Sequence, residues 1–183
     1  MNKPIAIKHL PRRAGPTEAE GQFLADLVHP LEYPVILEVG ACVGLSACWL
    51  AAGNKNAIVY SVDAWELGDT PHSHKLYRDV YNLNIAYMGF ADRVISVQGF
   101  SVEIASAWFT PLDFLYIDGA HDYDNVKADI LAWEPFLKTG GTLAMHDINQ
   151  PDVERAVQDT IWSSGRYSHW SRNERIMAGR KIS

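Results

Sequence analysis

From Val35 onward, short runs of consecutive apolar residues alternate with longer stretches in which apolar positions recur about every three to four residues. Val35–Val39, Ile58–Val62, Val94–Val97, Phe114–Ile117 and Thr142–Met145 read as strands, and their unbroken apolar character is that of strands covered on both faces in a parallel sheet. Between and after them, Leu45–Ala52, roughly Lys75–Met88, Val102–Trp108, Tyr123–Leu137 and Asp152–Ser163 carry helical spacing and are long enough to cross back over a sheet. Upstream, Thr17-Glu18-Ala19-Glu20 fits a capping box that opens a helix with Phe23, Leu24, Leu27 and Val28 as its stripe, and Pro30 and Pro34 end it. After Trp162 the chain turns at Gly165, and Ser168–Ser171 with Arg175–Ala178 predict a closing antiparallel hairpin. The pattern predicts one α/β domain over residues 17–183, a doubly wound and mostly parallel sheet with an antiparallel C-terminal hairpin, preceded by a surface arm over residues 1–16.

Composition narrows the class without changing this picture. At 183 residues, 48% hydrophobic and 21% charged, one domain can bury an adequate core with no disulfide or structural zinc to hold it. Cys42 and Cys48 have no second cysteine pair with which to build a zinc cluster or disulfide framework, which points to a reducing compartment. No run of about 18 apolar residues occurs and Met1–Ile7 lacks a signal-peptide core, so a soluble cytoplasmic protein without a membrane partner is expected. A net charge of −6 with scattered lysines and arginines argues against nucleic acid.

Ligands of such sheets bind beyond the carboxyl ends of the strands. After the first strand comes Glu38-Val39-Gly40-Ala41-Cys42-Val43-Gly44-Leu45-Ser46, a turn in which Gly40 permits a sharp bend and close ligand approach, Gly44 permits tight packing, and the following helix offers free N–H groups. The second strand ends at Asp63, about two dozen residues beyond Gly40, where nucleotide sites place an acid to accept ribose hydroxyls. A helix cap is the structural alternative for Asp63, but Ala64 and Trp65, which follow it, would suit the edge of an adenosine pocket. The fourth strand ends Asp118-Gly119-Ala120-His121-Asp122 and the fifth His146-Asp147, so acids and imidazoles converge on one sheet edge. Such a group can ligate a divalent cation, or a histidine can act as a general base oriented by an acid. Each member also has a structural alternative: Asp122 as a helix cap, His121 as a surface turn residue, His146 as a buried hydrogen-bonded side chain.

Glu38-x-Gly40-x-x-x-Gly44-x-Ser46, Asp63, Gly89-x-x-Asp92-Arg93-Val94 and above all Asp113-Phe114-Leu115-Tyr116-Ile117-Asp118-Gly119-x-His121-x-Tyr123, with Gly140-Gly141 and His146-Asp147, resemble class I S-adenosylmethionine-dependent methyltransferases. Within these, the pattern is most similar to the small-molecule O-methyltransferase branch that includes the macrocin-type sugar methyltransferases. The resemblance runs from Thr17 to about Ala178. It implies a Rossmann-like fold and transfer of a methyl group to a small hydroxylated acceptor such as a sugar or natural product. By the same resemblance, Glu38, Gly40, Ala41, Gly44 and Ser46 would hold the methionine moiety, Asp63 and Ala64 the ribose side, Gly99, Phe100 and Ser101 the adenine edge, and Asp118 the inner rim of the pocket. Relatives that use magnesium hold it with acids after the fourth and fifth strands, which match Asp118 and Asp147, with His146 standing where an acid is usual. Magnesium or another divalent ion at Asp118, Asp147 and His146, or catalysis by Asp118, His121 and His146 without metal, both remain open.

Acceptor choice would fall to the arm and to the turn-rich segment from Trp65 to Lys75, which reads either as a lid over the acceptor or as a solvated loop, with a second copy of the chain available to complete the pocket. A dinucleotide oxidoreductase should show G-x-G-x-x-G, which is absent. A metal-dependent hydrolase would account for the acids and histidines but not for the glycine turn, and a non-catalytic S-adenosylmethionine-binding module would need only Gly40 and Asp63.

Overall fold

A computed structural model describes residues 15–66 and 71–183. The expected arm falls on residues 1–14 apart from its last two positions, outside that range. Helix α1 (Glu18–Val28) opens on the expected capping box: Glu20 N–H donates to Thr17 Oγ1 at 3.2 Å, and Thr17 N–H donates to Glu20 Oε2 at 2.9 Å. Thr17→Ala removes one of these bonds together with the Thr17 Oγ1 donation to Glu174. A loss of about 1 kcal/mol, read by denaturant unfolding, is expected.

The chain then alternates β1 (Val35–Val39), α2 (Leu45–Gly53), β2 (Ile58–Asp63), α3 (Pro71–Tyr87), β3 (Val94–Gln98), α4 (Ser101–Ser106), β4 (Leu112–Ile117), α5 (Tyr123–Trp133), β5 (Leu137–Met145), α6 (Pro151–Thr160), β6 (Tyr167–Asn173) and β7 (Ile176–Lys181). Seven strands form one sheet in the order β3-β2-β1-β4-β5-β7-β6, with β1 to β5 parallel and β7 antiparallel to both β5 and β6. Helices α1, α2 and α3 cover one face around Leu24, Leu50, Phe114 and Tyr116; α4, α5 and α6 cover the other around Leu115, Ile130, Trp133 and Val157. Strands buried between two helical layers have no polar face to show, which is why their sequences read as continuous apolar runs.

Several boundaries differ from the pattern. The fifth helix ends at Trp133 because Glu134–Phe136, with Pro135 inside it, tightens into a 3-10 turn, and β5 begins at Leu137, opposite Leu112, rather than at Thr142. The last strand starts at Ile176, leaving Arg175 in the hairpin turn. Helix α3 starts at Pro71 rather than near Lys75, with proline in the first turn where its missing N–H costs nothing. The expected lid is therefore helical from Pro71 onward; Trp65 at its start is a core residue with 1% exposure, and residues 67–70 lie outside the described residues. No helix among the described residues is long and apolar enough to cross a membrane.

Candidate active site

The strand order reverses between β1 and β4, and ligands of such sheets bind outside the carboxyl ends of the strands at that switch point. The backbone ladder carries on past the strand ends: Gly40 N–H donates to Val62 O at 2.9 Å, Asp118 N–H to Val39 O at 2.8 Å and His146 N–H to Ile117 O at 3.0 Å. Glu38, Gly40, Asp63, Asp118, His146 and Asp147 are thereby brought to one edge by strand pairing alone.

The β1–α2 turn is built from special backbone. Gly40 has φ +89, and an added Cβ would stand 2.1 Å from Asp118 O, so only hydrogen fits. Gly44 has φ +78 and precedes α2; an added Cβ would meet the Tyr81 ring at 2.8 Å, so the tight packing expected at Gly44 is against α3. Asn84 on α3 donates Nδ2 to Val43 O at 2.8 Å, a second support that the sequence did not announce. Ala41 and Ser46 are buried in the turn and in α2.

Asp63 holds this turn closed. Its Oδ2 accepts from Cys42 N–H at 2.7 Å and its Oδ1 from Trp65 N–H at 2.6 Å, while Trp65 Nε1 donates to Cys42 O at 2.8 Å. Burial pushes the Asp63 carboxyl upward, and the N–H groups of Cys42, Trp65 and Ala41 oppose that shift. Burial also pushes the Cys42 thiol up to about 12, which leaves it protonated and inert.

Glu38 is 0% exposed. Ser61 Oγ donates to its Oε2 at 2.6 Å, whereas among the described residues no donor is aligned on Oε1, and burial raises the carboxyl to about 7 against the pull of Ser46 and Ser61. A buried acceptor without a donor is the feature a cationic ligand group would complete.

On the far side of the crevice, Gly99 has φ +155 and leads into α4 with Phe100, which is 53% exposed. The Ser101 hydroxyl accepts from Trp133 Nε1 at 2.7 Å and so braces α4 on α5. Ala64 is half-buried beside Asp63.

The acidic cluster at the ends of β4 and β5 is denser than its motif suggested. His121 Nε2 lies 3.0 Å from Asp147 Oδ2, and His146 Nδ1 lies 2.9 Å from Asp118 Oδ1 and 3.3 Å from Asp147 Oδ2. Asp147 has φ +51, which swings it out of the strand line toward the site. Asp122 caps α5, as one of its alternatives proposed, by accepting from Asn125 N–H. Three further residues join that were not among the candidate site residues. Tyr116 donates its hydroxyl to Asp118 Oδ2 at 3.2 Å; as the residue two before Asp118 it shares that face of β4, a signal present in the sequence. Arg175 donates Nη1 to Asp147 Oδ1 at 3.0 Å and Nη2 to Glu20 Oε2 at 2.7 Å, and Glu20 Oε2 stands 3.4 Å from His146 Nε2. Although its burial opposes the charge, His146 is raised to about 10 by Asp118 and Asp147, and Asp147 is held far below the usual carboxylate range by His121 and His146. The field in this corner favours positive charge.

Residues 37–148 match the family described as a methyltransferase domain. The chain belongs to this family. The methyltransferase domain is also 29% identical over 154 residues to an uncharacterized protein of Sinorhizobium fredii, a match that takes in 80% of this chain and 17% of that protein; the chain thus spans about a sixth of the length of this curated relative. Among solved structures, the O-methyltransferase of Bacillus cereus in complex with S-adenosylhomocysteine superposes with a TM-score of 0.73 at 22% identity, covering 93% of this chain and 84% of that one. The O-methyltransferase TomG of Streptomyces achromogenes, involved in tomaymycin synthesis and in complex with S-adenosylmethionine, gives a TM-score of 0.74 at 14% identity, covering 93% and 82%. At these identities the likeness shows a shared fold, the doubly wound sheet with the antiparallel hairpin.

Proposed function

We propose that this methyltransferase domain transfers a methyl group from S-adenosylmethionine to a hydroxyl of a small acceptor. The observation that carries the proposal is the β1/β4 switch point, which brings the Gly40 turn and Asp63 to one sheet edge with the acid and imidazole cluster. The cofactor's sulfonium supplies an electrophilic methyl, so the protein's work is alignment and removal of the acceptor proton.

The residues divide accordingly. Glu38 Oε1, the buried acceptor without a partner, is the group for the cofactor's ammonium, and the α2 amino end past Gly44 is for its carboxylate. Asp63 takes the ribose hydroxyls while still bracing Cys42 and Trp65. Ala64, Gly99, Phe100 and Ser101 line the adenine side, Phe100 by its exposed ring. Asp118 and Asp147 hold a divalent cation that lowers the pKa of an acceptor hydroxyl. The 3.0 Å contact of His121 with Asp147 favours a second device, in which Asp147 orients His121 as the base and no metal takes part. Methylation that survives chelator selects the second device; methylation that stops and returns with added cation selects the first.

Calorimetric titration with S-adenosylhomocysteine tests the cofactor half directly. One bound equivalent is expected, with a thirtyfold to hundredfold loss of affinity in Asp63→Ala, roughly the value of two hydrogen bonds to a charged acceptor. No heat of binding would overturn the proposal, and unchanged affinity in a folded Asp63→Ala protein would remove Asp63 from it.

A further inference from the structure

Helix α3 carries two apolar rows, and the fold of one chain uses only the first. Tyr81, Asn84 and Ile85 are buried, with Tyr77 and Met88 packed partly into the same layer, so this row faces the sheet and supports the turn from Gly40 to Gly44. Leu76, Val80, Leu83 and Tyr87 form the second row, about 120° around the helix from the first. Val80 is half-buried, while Leu76, Leu83 and Tyr87 are 45%, 64% and 58% exposed. A surface helix ordinarily turns polar residues to water. Here the charges stand elsewhere: Lys75 pairs with Asp79 at 2.6 Å on the far flank, and Arg78 bonds to Gln98 and lies over the Trp65 ring.

The spacing of the second row limits what can cover it. Steps of four, three and four residues are those of a coiled-coil seam, so the row is shaped to take another helix. The steps also read the same from either end, which is the condition for pairing with an identical row about a twofold axis. In that antiparallel arrangement Leu76 faces Tyr87 of the other copy, Val80 faces Leu83, and no charge enters the seam. Lys75, whose side chain is 75% exposed, comes alongside the carboxyl end of the opposite α3, where the helix dipole is negative and Asp92 is exposed. Among the described helices no other presents such a row, since α4 and α5 each expose a single large apolar side chain, Val102 and Leu131.

We propose that α3 is a homodimer interface, closed by antiparallel packing of Leu76, Val80, Leu83 and Tyr87 on the same residues of a second copy. The seam is about three turns long, which is small for a permanent interface, so the dimer exchanges with monomer at micromolar concentration. No residue of the seam belongs to the cofactor turn or to the acid and imidazole cluster, so the inference stands apart from the methyltransferase reading.

Sedimentation equilibrium of the full chain, from about 1 to about 100 μM, is the test. The mass is expected to rise from one copy to two across that range. Leu83→Glu, at an exposed position where the fold should survive by circular dichroism, is expected to weaken the dimer at least about tenfold. Cross-linking checks the direction of the helices: Val80→Cys protein mixed with Leu83→Cys protein should form a disulfide under mild oxidant several-fold faster than either protein alone. Cys42 and Cys48 should stay silent in the parent, because burial raises both thiols to about 12. A single copy at every concentration would leave the row to residues 1–14 or to a foreign helix and overturn the proposal. A Leu83→Glu dimer as tight as the parent would place the interface elsewhere, and faster cross-linking within each variant alone would overturn the antiparallel pairing.

Discussion

Gly40→Ala is expected to abolish binding of S-adenosylhomocysteine and to lower stability by about 3–5 kcal/mol, the sum of a left-handed backbone imposed on an L side chain and a steric overlap that cannot relax. The overlap decides the magnitude. The new methyl would stand 2.1 Å from Asp118 O and 2.8 Å from the Gly119 Cα, and both belong to backbone rather than to a flexible side chain. Relief requires β1 and β4 to separate at their carboxyl ends, where Asp118 N–H donates to Val39 O, and that contact sets the spacing between the glycine turn and the acid cluster. Thermal unfolding should show a fall on the order of 10 °C. A variant with the parent melting temperature and parent affinity would mean that the close approach of the two turns has no role.

The same contact explains what could be read from the sequence and what could not. Strands β1, β2 and β4 were legible because helices cover both faces and burial favours apolar residues, whereas β3, at the sheet edge with Ile95 41% exposed, was read from its apolar residues alone. The capping box of α1 was legible because both of its bonds are local. Gly40, Asp63, Asp118 and Asp147 were legible because they are chain neighbours of those strands. By contrast, Lys138 to Gly141 of β5 is polar and glycine-rich, since this end of the strand runs past the helical cover, and it reads as a turn. Strand β6 lies at the sheet edge with alternating exposure, so it shows only a weak apolar signal.

Glu20 and Arg175 join the site from positions 155 residues apart in the chain. Glu20 was correctly read as the acid of a capping box, and nothing in its neighbourhood announces a second role. Arg175 was read as the first residue of a strand; its place in the turn is what lets the guanidinium reach both Glu20 and Asp147. Tyr81 and Asn84 support the glycine turn from α3, where their polar atoms are hidden in an otherwise amphipathic pattern. Contacts made by one side chain across the fold leave no period in the sequence.

Glu38→Gln is expected to stabilise the protein above neutral pH while weakening its hold on the cofactor. Glu38 is wholly buried, and the loss of hydration lifts its carboxyl from an ordinary 4.5 to about 7. A carboxyl whose folded value lies above its unfolded value favours the folded state in its protonated form, so its contribution is full below about pH 4.5 and is lost as pH rises to about 7. The difference corresponds to about 3 kcal/mol of stability given up by the ionised side chain at pH 8. Glutamine carries no such cost: its carbonyl can accept from Ser61 as Glu38 Oε2 does, and its amide can occupy the place of the unpartnered Oε1. Melting curves of the two proteins should coincide near pH 4 and separate by roughly 6–12 °C at pH 8, with the variant higher. Cofactor binding should move the opposite way, because a neutral amide cannot pair with an ammonium, and the parent's affinity for S-adenosylhomocysteine should rise with pH up to about 7 as Glu38 ionises. Equal melting temperatures at pH 8 would show that Glu38 is not the buried charge described, and unchanged affinity in Glu38→Gln would separate that charge from the cofactor.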